Sequence, residues 1–186
     1  MKKPIKIKSF PKIDVEQCML RNREIFLYES VTSKSMLRLI KEILILDNIN
    51  HKPINFHINS GGGSCTDGLA LINVMRQVSS PIITIVNMEA CSMGSQISIA
   101  GDVRKMVDNG FLMFHDMSGV VGGDYSGKVK YRAMFVEKLW ETLVATCTNH
   151  TKLTKKDLEI ARNGELWLTA KESLAKGCVD EIIVVS

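Results

Sequence analysis

Short runs of apolar, largely β-branched and aromatic residues recur along the chain and predict strands at 24–27, 54–58, 82–86, 105–107, 111–114 and 182–185. Between them, apolar positions fall at helical spacing near 34–46, 67–78, 92–100, 131–147 and 170–176. In the second of these helices the apolar side includes Leu69, Ile72, Met75 and Val78. The long helix near 131–148 carries Met134, Leu139, Trp140, Leu143, Val144 and Cys147, a broad apolar face that in a monomer would fold back on the core. The stretch 118–124 is the richest in glycine and reads as a loop or a thin strand. Strands that alternate with helices predict an α/β fold, a largely parallel sheet covered by helices, with any site at the carboxyl ends of the strands.

Composition narrows the class. A chain of 186 residues with 45% hydrophobic residues is long enough for one domain with a real core. No apolar stretch reaches the roughly twenty residues that cross a bilayer, and the basic start alternates Lys with Ile instead of leading into an apolar run. The expectation is a cytoplasmic protein with no membrane partner. Five cysteines, Cys18, Cys65, Cys91, Cys147 and Cys178, lack CxxC spacing and are odd in number, which fits reduced thiols better than disulfides or a metal site. The net charge of +4 does not imply nucleic acid: only the first lysines and Lys152, Lys155 and Lys156 cluster, and no aromatic residues interleave them.

Candidate chemistry lies at three strand ends. Ala90, Cys91, Ser92, Met93 and Gly94 place a serine where a strand hands over to a helix, whose first N–H groups are unpaired and carry partial positive charge. Upstream, Ile58, Asn59, Ser60, Gly61, Gly62, Gly63 and Ser64 form a second strand-to-helix loop in which glycines let a substrate approach the backbone. It is not a phosphate loop, because Ser64 and Cys65 stand where Lys and Ser/Thr would be required. Downstream, His115 ends a third apolar run and is a candidate general base. His51, His57 and His150 read as surface or packing residues, and Cys91 as a packing residue.

Together with the segment Arg21 to Leu27 and the stretch Trp167 to Asp180, these motifs resemble the ClpP family, the proteolytic subunit of the Clp protease, over most of the chain. The resemblance implies a ClpP/crotonase-like spiral of parallel strands covered by helices. It implies Ser92 as nucleophile, His115 as base, and the N–H groups of Gly63 and Met93 as oxyanion hole. It implies a peptidase domain over 21–186 with a protruding handle at 116–150, and a segment 1–20 corresponding to an axial, gating region. It further implies a homo-oligomer of heptameric rings stacked as a tetradecamer, with unfolded proteins as substrates. No cofactor or metal is expected in the chain; ATP would be used by a partner AAA+ unfoldase such as ClpX or ClpA.

The sequence departs from the family pattern in three places. Gly61 stands where the family usually has proline, and the residues before Arg21 match poorly. Where the family has a catalytic aspartate, gap-free counting gives Glu165. Glutamate serves as third member in some hydrolases. Asn163 could orient a histidine without charge, whereas Asp157 reads as part of a helix cap and Asp180 as structural. Besides an active peptidase, two readings stay open: a weakly active or noncatalytic ring subunit, with a phage-type protease as a variant of the first reading, and an acyl-CoA hydratase or isomerase, which would share the fold without needing a serine–histidine pair.

Overall fold

A computed structural model describes residues 14–117 and 126–185. The glycine-rich stretch 118–124 and most of the segment 1–20 lie outside the described residues. In chain order the elements are α1 (Val15–Arg21), β1 (Glu24–Leu27), α2 (Ser33–Ile49), β2 (Ile54–Ser60), α3 (Cys65–Gln77), β3 (Ile82–Cys91), α4 (Met93–Ile99), β4 (Val103–Val107), β5 (Phe111–His115), α5 (Ser126–His150), α6 (Lys155–Asn163), β6 (Glu165–Thr169), α7 (Ala170–Ala175) and β7 (Glu181–Ile183).

The strands form one sheet in the order β1-β2-β3-β4-β7, parallel throughout. β3 is the longest strand and changes partner along its length. Ile83–Val86 pair with β4, whereas Glu89–Cys91 pair with β5, again in parallel. β6 then adds to β5 as the antiparallel strand. The α/β class expected from the sequence is therefore what the chain adopts.

Burial follows the patterns that predicted the elements. In β2, Ile54, Phe56, Ile58 and Ser60 are buried and the residues between them half-buried, the period of a strand with helices packed over it. α2 buries Met36, Leu39, Ile43 and Leu46, spaced three or four residues apart, and α3 buries Gly68, Leu71, Ile72 and Met75 along one face. α4 is buried over its whole length.

The differences from the sequence reading have physical causes. β3 runs to Cys91 instead of ending at 86, because its polar second half finds a new partner in β5. β6 is not among the predicted strands: it is short, and its pattern of buried Leu166 and Leu168 between exposed residues belongs to a sheet edge. α1 forms although it buries nothing, since the Asp14 side chain accepts the Gln17 N–H at its start. α6 also escapes the apolar pattern, being polar but capped at Thr154. α5 divides into two halves. Trp140, Leu143 and Cys147 are buried against the core, whereas Tyr131, Met134 and Phe135 in the amino-terminal half are exposed. Only the second half folds back as a monomeric reading requires.

Candidate active site

Ser92 sits between the last residue of β3 and the first of α4 with φ 55° and ψ −121°, in a region that non-glycine residues avoid. Such a conformation costs about 1–3 kcal/mol and persists only where the surroundings fix it. Here they do. The Ser92 N–H donates to the Met113 carbonyl on β5 at 2.8 Å, and the Ser92 carbonyl accepts from the N–H groups of Ser95 and Gln96. The turn is thus pinned on one side by the sheet and on the other by the helix it starts. The Ser92 side chain makes no capping bond to the helix, and the residue is half-buried among buried neighbours.

The glycine loop lies flush against this turn. Gly62, at φ 92°, has so little room that an added Cβ would stand 2.6 Å from the Cys91 carbonyl oxygen and 2.7 Å from the Ser92 Cβ. The loop is held by Val31, whose N–H donates to the Gly62 carbonyl at 2.8 Å and whose carbonyl accepts from the Ser64 N–H at 2.9 Å. The Gly63 amide between these two bonds is left out of that ladder. The Met93 N–H belongs to the first turn of α4, where no carbonyl one turn back is available. Gly63 and Met93 both line a cavity of about 50 Å³ together with Ser92 and His115.

His115 reaches that cavity through strand pairing. Cys91 pairs with Met113, so the residue two positions beyond Met113 on the same face of β5 stands beside the Ser92 turn. Across the β5–β6 ladder His115 pairs directly with Glu165. Residues so paired have Cβ atoms about 4.5–5.5 Å apart. The Glu165 carboxylate, however, is exposed and accepts the Trp167 indole N–H through Oε2 at 2.8 Å; among the described residues no hydrogen bond joins it to His115. The other candidates for the third position are engaged elsewhere. Asn163 donates to the Glu159 carbonyl, and Asp157 is bound by Thr154 and Lys176.

Of the remaining titratable groups, Cys65 lines the cavity, its thiol pKa raised by burial and then by the charge of Asp116, and the other histidines and Asp180 are engaged elsewhere. His51 pairs with Asp47, His57 stacks on Phe26 and bonds Glu24, and His150 meets Arg76. Asp180 grips Arg104 through both carboxylate oxygens. Burial pushes the Cys91 thiol up to about 11, helped by the charges of Glu89 and Glu165, so beside the serine it is a neutral packing group. Among the described residues no cluster of side chains could hold a metal ion, and no helix is long and apolar enough to cross a membrane.

Two cavity-lining residues, Gln96 and Met117, have no part in the sequence reading. Gln96 is 6% exposed and borders the cavity. Its position four residues after Ser92 was the available signal, because residues so spaced share a helix face.

The profile of the family described as Clp protease matches residues 8–186. The chain is 31% identical over 173 residues to a protein of Deinococcus radiodurans named ATP-dependent Clp protease proteolytic subunit, covering 91% of this chain and 84% of that one. It is 30% identical over 175 residues to a protein of Chlamydia trachomatis serovar D named ATP-dependent Clp protease proteolytic subunit 1, covering 91% of this chain and 90% of the relative.

Proposed function

The chain belongs to the Clp protease family, and on that premise we propose that this ClpP-type serine protease works through Ser92, His115 and Glu165. The Ser92 hydroxyl attacks the scissile carbonyl while His115 takes its proton. The oxyanion that forms is met by the N–H groups of Gly63 and Met93, two residues that line one cavity with Ser92 and His115. His115 then protonates the leaving amine, and a water, activated by the same imidazole, releases the acyl group from Ser92. Glu165, opposite His115, stabilises the imidazolium. The observation that carries this reading is the strained Ser92 turn sharing a cavity with His115. An acyl-CoA hydratase reading falls with the family assignment.

The finer expectations belong to the same proposal. Heptameric rings paired through α5 would bury the exposed Tyr131, Met134 and Phe135 and enclose the sites, so that only unfolded chains reach them. An AAA+ unfoldase such as ClpX or ClpA, using ATP, would supply those chains in the cytoplasm, a reading that fits the name ATP-dependent Clp protease carried by the relatives and the five free thiols. One observation favours a weakly active ring subunit instead: Glu165 is held by Trp167 and not by His115.

Hydrolysis of an unfolded protein such as casein by the assembled ring separates the two readings. An active peptidase loses turnover in Ser92→Ala, and in Glu165→Ala kcat falls by about two to four orders of magnitude. A folded ring with wild-type turnover no higher than that of Ser92→Ala would establish the structural role.

A further inference from the structure

Gln96 is placed like a recognition residue. It follows Ser92 by four positions in the first turn of α4, so its side chain rises on the face that carries the serine. It is 6% exposed and lines the same cavity as Ser92 and His115. Its Nε2 donates to the Cys147 Sγ on α5 at 3.3 Å, which anchors one end of the amide. The other end, Oε1, is fully buried and has no hydrogen-bond partner among the described residues. A buried amide oxygen left unpaired loses the hydrogen bonds it made to water and gains none in return. Of the other lining side chains, Phe114, Met117 and Leu143 cannot supply a donor, and Cys65, Ser92 and His115, which could, make no hydrogen bond to it.

We infer that Gln96 makes the cavity beside Ser92 a specificity pocket for a substrate side chain that carries its own hydrogen-bonding group, an amide of asparagine type in preference to an aliphatic chain. The inference rests on the protease reading, since the recognised side chain is that of the residue whose carbonyl Ser92 attacks. Asparagine and leucine have the same branched outline, so shape alone separates them little. Leucine would seal Oε1 into an apolar contact and leave it unpaired, whereas the asparagine amide donates to it. Turning the Gln96 amide end for end preserves the argument: the Cys147 thiol, neutral with its pKa pushed up to about 11 by burial, then donates to Oε1, and Nε2 faces the substrate amide's oxygen. Sites built to hydrogen-bond a substrate group reject analogues that lack it far more strongly than sites that read only size.

The test uses two peptide substrates that differ only in asparagine or leucine at the residue before the cleaved bond, and two product peptides ending in those residues. Hydrolysis is followed on the assembled full-length protein and product binding by calorimetry, for the wild type, Gln96→Leu and the near-isosteric Gln96→Met. The pocket predicts kcat/KM favouring asparagine by about ten- to a hundredfold in the wild type. It predicts a ratio at or below one in either variant, and product affinities that follow the same order. If both substrates are cut and the wild type shows no preference for asparagine, or if the preference survives in both variants, the pocket reading is overturned while the peptidase stands. If neither substrate is cut but the asparagine product still binds more tightly than the leucine product in the wild type and loses that advantage in the variants, the pocket stands and the peptidase reading fails. Equal affinity of the two products for the wild type overturns the pocket whether or not hydrolysis occurs.

Discussion

Ser92 holds its strained backbone because three neighbours leave it no alternative: the Met113 carbonyl, the first turn of α4 and the Gly62 backbone pressed against its Cβ. Gly62 therefore has a role that no other residue type can take. In Gly62→Ala the new methyl would meet the Cys91 carbonyl oxygen at 2.6 Å while φ stays at 92°, so the oxyanion loop must move away from the serine. We expect kcat/KM for a peptide substrate to fall by about two orders of magnitude or more, the size of effect seen when one oxyanion donor is lost. Gly61, one position earlier, has no positive φ, and a methyl added there would meet nothing within 4 Å. Gly61→Ala should retain activity and raise stability by about 0.4–1 kcal/mol through the unfolded chain, read from denaturant midpoints. Equal losses in the two variants would mean that the loop tolerates no side chain anywhere and that close approach to Ser92 is not the cause.

At the scale of elements, register does what distance along the chain hides. His115 and Glu165 are separated by two helices in sequence and become direct partners when β6 joins β5. The strand that brings Glu165 there is steadied by α6, whose cap doubles as an ion pair. The Asp157 carboxylate accepts from the Thr154 N–H and hydroxyl and binds the Lys176 ammonium at 2.7 Å. Burial alone would raise its pKa, but the Lys176 and Thr154 bonds outweigh it and lower the value from 3.8 to about 2. A carboxyl group with a depressed folded-state pKa adds stability that is fully present above the unfolded value and is lost as pH falls through the folded one. Thermal unfolding should thus show Asp157→Asn less stable than wild type at neutral pH, with the gap closing as pH falls from about 4 to about 2. A gap that persists unchanged at pH 2 would assign the loss to packing and not to the ion pair. The same scale explains what could be read in advance. Strands made of β-branched runs, such as Ile54–Ser60 and the first half of Ile82–Cys91, and helices with apolar stripes were legible. The second half of β3 and the edge strand β6 were not, because partners far away in sequence create them, whereas the polar helix α6 showed only its cap at Thr154 and Asp157.

For the molecule as a whole, the site was legible to the extent that it is local. Ser92 and the glycine loop each mark a strand-to-helix junction, and His115 marks a strand tip, so their places in the fold followed from residue type and position, while the roles proposed for them came from the family resemblance. For Gln96 the spacing from Ser92 was legible but the burial of its amide was not, since that arises only when α5 brings Cys147 and Leu143 over α4. The indole bond that holds Glu165 away from His115 was equally hidden, because it requires the edge strand to be formed first. What unites these parts is a sheet whose central strand changes partners, which sets the Ser92 turn between the glycine loop on one side and β5 on the other. The central claim is that this junction makes Ser92 a nucleophile. It is tested most directly by reacting the assembled protein with a fluorophosphonate probe and mapping the modified residue by mass spectrometry. A single adduct on Ser92 is expected, absent from Ser92→Ala and formed much more slowly in His115→Ala. An adduct on another residue, or none on the folded wild-type ring, would contradict it.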